Sequence, residues 1–196
     1  MKQLPSSSEL RKELIRETVR ADVRKKALLI MMILLGFLFT AVLLNRSMVM
    51  RVRDDDMAPT LHEKDLLIKG KAKDLSYGDL VIVEHEGTTM IRRVIAQGND
   101  WVDLDRNGNI YVNNRVMIEA YLDAKALGFC DIDLPYQVPE RQYFLLADER
   151  ENAADSRRKD FGCFPLSEIK GKILFRIWPL KGFGSLEIQT DANEES

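Results

Sequence analysis

Residues 27–44 read ALLIMMILLGFLFTAVLL, 18 consecutive residues without a charge. Coiled as a helix, a run of that length covers about 27 Å, close to the hydrocarbon thickness of a bilayer. A cleaved signal peptide is the alternative, but such peptides have a shorter apolar core and leave through small residues of the Ala-x-Ala type. Here the run exits into Asn45-Arg46-Ser47-Met48. The expectation is an uncleaved transmembrane signal anchor at 27–44. Arg16, Arg20, Arg24, Lys25 and Lys26 crowd its N-terminal side, and residues 1–26 carry eight Lys/Arg against four Asp/Glu. The positive-inside rule then puts the N-terminus in the cytoplasm and the C-terminal part outside, in a single-pass protein of the cell membrane. Arg46, Arg51 and Arg53 reduce that contrast.

Ser6 and Glu9 have the spacing of a capping box, which predicts a charged cytoplasmic helix over 1–26. Beyond the anchor the texture changes to short β-like runs. Residues 66–69, 80–84, 142–146 and 172–177 are strand-like, with Tyr77-Gly78-Asp79 as a turn. Residues 101–104 and 109–113 flank Arg106-Asn107-Gly108, and an Asn-Gly pair between such runs predicts a hairpin. Asn113-Asn114 predicts a further turn. No long amphipathic helix follows the anchor, so 45–189 reads as one mainly β extracytoplasmic domain. Residues 125–139 read as a loop and the acidic residues 190–196 as a disordered tail. Cys130 and Cys163 are too few for a disulfide framework and form either one bridge or two separate thiols. A net charge of -2 gives no electrostatic case for nucleic-acid binding. His62 and His85 are the only histidines and have no partner at metal-ligand spacing. Both read as surface residues, and no metal or other cofactor is expected.

Four stretches occur in one order: DDMAPTL at 55–61, GDLVIV at 78–83, MIRRVIAQGND at 90–100 and ADERENAADSR at 147–157. FGCFP and then IKGKILFRIWPL follow. Together they resemble the conserved boxes of type I signal peptidases, approximately S-M-x-P-T-L, G-D-x-V-V-V, x-I-K-R-V-I-G-x-P-G-D and G-D-N-R-D-N-S-x-D-S-R, with a closing F-R-x-W-P. The resemblance runs from the anchor to about Leu180. It implies a mainly β fold, a signal-peptidase-like domain of coiled sheets behind one N-terminal transmembrane helix. It also implies an extended substrate lying along an open strand edge, a mode in which main-chain hydrogen bonds carry recognition. Met57, Pro59 and Ile91 match positions on the substrate side, and Met57 is either a residue that sets the domain against the bilayer or an ordinary core methionine. Arg93, Asp148, Arg150, Asp155 and Arg157 match charged residues that brace the catalytic floor as ion pairs.

Cutting a peptide bond requires a nucleophile, a base for its proton and donors for the oxyanion. In the family resembled here, serine attacks and a buried neutral lysine is the base. The serine position is Asp56 and the lysine position is Arg92. An arginine does not give up its proton in a protein, so it cannot serve as a base. A carboxylate beside a cation is held in its charged form rather than activated. The small residue two places before the nucleophile is Asp54, whose charge would repel an oxyanion. The box serine that orients the lysine aligns with Ala153, the box-opening glycine with Ala147, and the Gly-x-Pro-Gly turn with 96–99. Asp56 and Arg92 are expected to form a charge-assisted pair in the space of the missing dyad.

An aspartic-protease reading of Asp54-Asp55-Asp56 is weak, because neighbours on a strand face opposite ways and Arg92 competes for Asp56. Ser76, Ser156 and Ser167 are nucleophiles only by default. The expected function is a signal-peptidase-like membrane protein without peptidase activity, which binds extended segments of exported proteins as a chaperone or assembly factor. The resemblance extends to degenerate homologues in Gram-positive pilus assembly, so pilin-like segments and sortase-associated machinery are the partners it suggests. The competing expectation is an active membrane serine-type endopeptidase that removes signal peptides.

Overall fold

The structure, a computed structural model, describes residues 7–44 and 48–186. Ser6 of the expected capping box, the exit at 45–47 and the acidic tail at 190–196 lie outside those residues. One helix, α1 (Ser7–Leu44), runs without interruption through both the charged segment and the apolar run. The two segments expected at 1–26 and 27–44 therefore form one element, as a stretch with no proline and a single glycine, Gly36, allows. Its described apolar side chains point outward, with Phe37 at 75% exposure. Among the described residues, no helix is long and apolar enough to cross a membrane. The side chains of 42–44, which complete the uncharged run, are outside the described set. The expected transmembrane character of α1 thus rests on the sequence.

The chain divides into two compact units, 1–47 and 48–196, so the second begins three residues after the expected boundary. Its strands in chain order are β1 (Val49–Arg51), β2 (Leu66–Gly70), β3 (Leu80–His85), β4 (Thr88–Gln97), β5 (Trp101–Leu104), β6 (Ile110–Val112), β7 (Arg115–Val116), β8 (Tyr136–Gln137), β9 (Gln142–Leu146), β10 (Phe164–Pro165), β11 (Ile169–Trp178) and β12 (Gly184–Ser185). Among the described residues they form two antiparallel sheets. The larger has the order β1-β2-β11-β3-β4-β9-β10, with β12 also on β11, and the smaller is β7-β6-β5-β8. The fold is mainly β, as expected.

Turn chemistry fixes the registers. Glu86 and Gly87, at φ +49° and +77°, join β3 to β4 with His85 opposite Thr88. Asn113 and Asn114, at φ +52° and +63°, do the same between β6 and β7. Two adjacent left-handed residues give the turn whose twist matches antiparallel strands. The hairpin at 105–109 is built differently. Asp105 Oδ1 accepts the N–H groups of Asn107 and Asn109, and only Gly108 is left-handed, at φ +79°. The Asn-Gly signal marked the right place for a longer loop.

Strand β4 is buried on both faces from Ile91 to Ala96 and lies near the centre of the larger sheet. Arg92 and Arg93 are therefore carried into the interior on opposite faces. Met57 is 1% exposed and packs with Val52, Leu61, Leu67, Ile82 and Ile91. It is placed there as a core methionine is. His85 is also not a plain surface residue: its ring lies 4.8 Å from that of Phe161. Asp54, Asp55 and Asp56 sit on a bend and turn rather than a strand, with the Ala58 N–H bonded to Asp55 O. Strand alternation therefore does not separate their carboxylates; separate hydrogen-bond partners do.

Candidate functional site: a strand groove beside an Asp–Arg pair

Two open strand edges face each other across a groove of about 370 Å³ lined by Met50, Arg51, Val52, Arg53, Asp54, Lys69, Ile82, Thr89, Met90 and Ile91. The Val52 N–H bonds to Asp65 O and the Lys64 N–H to Val52 O, so Val52 spends its backbone groups toward β2. Backbone groups alternate sides along an antiparallel strand, which aims those of Arg51 and Arg53 the other way, toward the groove. On the opposite wall, β9 pairs with β4 only from Arg93 onward. Among the described residues, Thr88–Ile91 therefore has β3 on one side and no strand on the other. Ile91 lines this groove as the sequence suggested. Pro59 is half-buried in the turn beyond Met57, and neither residue is among the groove's lining.

Asp56 and Arg92 follow Asp54 and Ile91, one on each wall. Arg92 Nη2 donates to Asp56 Oδ2 at 2.7 Å. Its Nε donates to Ala154 O at 2.8 Å and its Nη1 to Ile91 O at 2.6 Å. The Arg92 side chain is 1% exposed and that of Asp56 33%. The guanidinium thus fills its position with donors that are already committed. The backbone N–H of Asp56 is the kind of donor that acyl-transfer sites aim at an oxyanion. Here it lies 3.3 Å from Asp54 Oδ1, which accepts its hydrogen. The three aspartates have separate partners: Asp54 accepts this N–H, Asp55 that of Glu63, and Asp56 that of Arg92 Nη2. Ser156 is 2% exposed, accepts from the Leu145 N–H and donates to Gly162 O at 2.7 Å, which makes it a brace between strand and loop. Ala147 is fully buried, and Ala153 packs on the same apolar cluster.

On the other face of β4, charge is neutralised pair by pair. Arg93 Nε donates to Asp148 Oδ1 at 2.8 Å, its Nη1 to Gly78 O at 2.8 Å and its Nη2 to the Thr60 hydroxyl at 3.0 Å. The Tyr121 ring lies 3.8 Å from the Arg93 guanidinium carbon, within cation–π range. Arg157 is held by Asp155 at 2.8 and 2.7 Å, and its Nη1 donates to Arg150 O at 2.8 Å. Thr60, Gly78, Arg93 and Asp148 come from the four sequence boxes and meet in one cluster. Arg176, from the closing stretch, donates to Thr60 O at 2.8 Å and joins them.

Arg150 pairs with a residue the sequence reading missed. Its Nη2 donates to Glu119 Oε1, which also accepts the Tyr121 hydroxyl at 2.9 Å. Glu119 is 4% exposed. A lone carboxylate in the otherwise apolar run Met117-Ile118-Glu119-Ala120-Tyr121 was the available signal, since a charge in such a run needs a buried partner. Burial also holds the phenols of Tyr77 and Tyr121 above their ordinary range. Cys130 and Cys163 are both free and half-buried, so the two-thiol alternative describes the structure. Among the described residues no group of His, Cys, Asp and Glu could hold a metal ion.

The family described as "Signal peptidase, peptidase S26" matches residues 23–178, from within α1 to the end of β11. "Signal peptidase I S" of Bacillus subtilis (strain 168) is 31% identical over 140 residues, covering 65% of this chain and 75% of that protein. "Signal peptidase I P" of Bacillus subtilis subsp. natto is 31% identical over 168 residues, 79% of this chain and 88% of that protein. "Probable signal peptidase I-2" of Synechocystis sp. (strain ATCC 27184 / PCC 6803 / Kazusa) is 30% identical over 175 residues, 80% and 77% of the two chains. With a match over most of its length and the boxes meeting in one buried cluster, this chain belongs to the signal peptidase family, peptidase S26.

Proposed function

We propose that this chain binds an extended segment of an exported protein in the groove between β1 and β4 and does not cut it. The observation that carries this reading is the Asp56–Arg92 pair at 2.7 Å beside the groove. Acyl transfer by a hydroxyl needs a base, and a guanidinium whose donors are already engaged accepts no proton. The 56 N–H bonded to Asp54 adds to this, because an oxyanion would have to displace a carboxylate. The open edges of β1 and β4 support peptide binding, since each can add main-chain bonds to a strand laid between them. The uncharged run at 27–44 supports a signal anchor that keeps this activity at the cell membrane. The chain then acts as a chaperone or assembly factor, with pilin-like segments and sortase-associated machinery as the partner class.

The second reading is an active signal peptidase, as the relatives are named, that uses another serine. The two readings separate in one assay. Full-length protein in detergent micelles is incubated with a pre-protein carrying an Ala-x-Ala site, beside an active family member. Binding by crosslinking without cleavage is the expected result. Release of the leader by wild type would overturn the reading, and its persistence in Asp56→Ala would point to another serine as nucleophile.

A further inference from the structure

One wall of the groove, built from β1 and β2, is cationic. Arg51 and Arg53 are exposed and Lys69 is half-buried, and all three line the groove, where Asp54 is the single carboxylate among the described residues. Among the described residues, none of these three cations forms an ion pair. Elsewhere in the same unit, Arg92, Arg93, Arg150, Arg157 and Arg176 all have carboxylate partners. Three unpaired cations thus stand together on the β1–β2 side of the groove, beside the open edge of β1 and across from that of β4.

We propose that the segment held in this groove is an extended peptide bearing acidic side chains, placed against Arg51, Arg53 and Lys69. This rests on the peptide-binding reading above and names its substrate class. A strand laid between β1 and β4 uses the open backbone groups, and its carboxylates neutralise the β1–β2 wall. A small anion would satisfy the charges but leave the edges unused. A cationic segment would be repelled. Exposed ion pairs contribute roughly a factor of two each, so three of them favour an acidic peptide over its neutral counterpart by about five- to tenfold. That preference weakens as salt screens it.

The test uses the full-length protein in neutral detergent and three fluorescein-labelled ten-residue peptides, identical except for three Glu, three Gln or three Lys. Anisotropy should rank them Glu, Gln, Lys, with a gap of about five- to tenfold between the first two that closes in high salt. The triple variant Arg51→Gln, Arg53→Gln, Lys69→Gln should remove that gap with an unchanged thermal midpoint, and a gap that persists in it would overturn the proposal. Equal binding of all three peptides would overturn the acidic preference and leave the peptide-binding reading standing. Binding of none would overturn both. If phosphatidylglycerol micelles displace the acidic peptide and bind through the same three cations, the groove is an anionic-lipid site and the proposal falls. If acidic peptide binds only after truncation at Leu186, the occupant is the chain's own acidic residues 187–196, and the proposal falls equally.

Discussion

Asp56 and Arg92 lie 36 positions apart in sequence, yet Oδ2 of one and Nη2 of the other are 2.7 Å apart. The pair is asymmetric in its surroundings, with the arginine side chain 1% exposed and the carboxylate 33%. Removing one partner therefore differs from removing the other. Asp56→Ala leaves a buried cation that still has two carbonyl partners, at an expected cost of about 1–3 kcal/mol. Arg92→Met removes the buried charge and should cost less. Urea denaturation of both variants checks the order, and a larger loss for Arg92→Met would mean the guanidinium supports the fold beyond this pair.

Arg93 and Asp148 are both fully enclosed. Asp148→Ala strands a buried cation, and the expected loss is about 3–5 kcal/mol. The double variant Arg93→Leu, Asp148→Leu should recover part of it. If the single variant unfolds at the same urea concentration as wild type, the cluster that joins the four boxes is not a stability element.

The peptidase chemistry should be restorable only in combination. Asp56→Ser with Arg92→Lys supplies a hydroxyl and a titratable amine, and low processing of an Ala-x-Ala pre-protein is the expected gain. Adding Asp54→Ser frees the 56 N–H from its carboxylate and should raise the rate by about tenfold or more. Gel-based cleavage over time measures both. No gain from the third change would show that Asp54 is not what blocks the oxyanion position.

Gly128 has φ +59°, and a Cβ there would stand 2.0 Å from Arg150 O and 2.7 Å from Arg157 Nη1. Gly128→Ala combines backbone strain with collision against the charged network, for an expected loss of about 2–5 kcal/mol. Gly87→Ala, also at positive φ but in open space, carries the strain without the collision and should lose less. Thermal unfolding of the two variants compares them.

Burial pushes the Cys163 thiol up to about 11. The folded protein holds this proton where the unfolded chain has lost it, so stability falls as pH rises from about 9 toward 11. Thermal midpoints across that window should decline, and Cys163→Ser should flatten the first part of the decline. The phenols of Tyr77 and Tyr121, also raised by burial, contribute only above their ordinary value of 10. Alkylation of Cys163 by iodoacetamide should be slow at pH 8. Rapid labelling there would show an exposed thiolate.

Local chemistry in the sequence determined much of this protein. The strand runs at 66–69, 80–84, 101–104 and 142–146 became β2, β3, β5 and β9, because branched residues bounded by turn residues have few alternatives. The Asn113-Asn114 turn was legible for the same local reason, and the four boxes carried the family. Glu86-Gly87 was not read as a turn, since glutamate seldom takes the left-handed conformation it holds there. Glu119 gave only a faint signal, because its partner Arg150 is 31 positions away. What only the tertiary structure decided was every relationship that depends on sheet curvature. It decided that Met57 is enclosed, that the edges of β1 and β4 face one groove, and that unpaired cations line it. Spacing along a chain fixes which face of a strand a residue occupies, but not which distant edge that face meets.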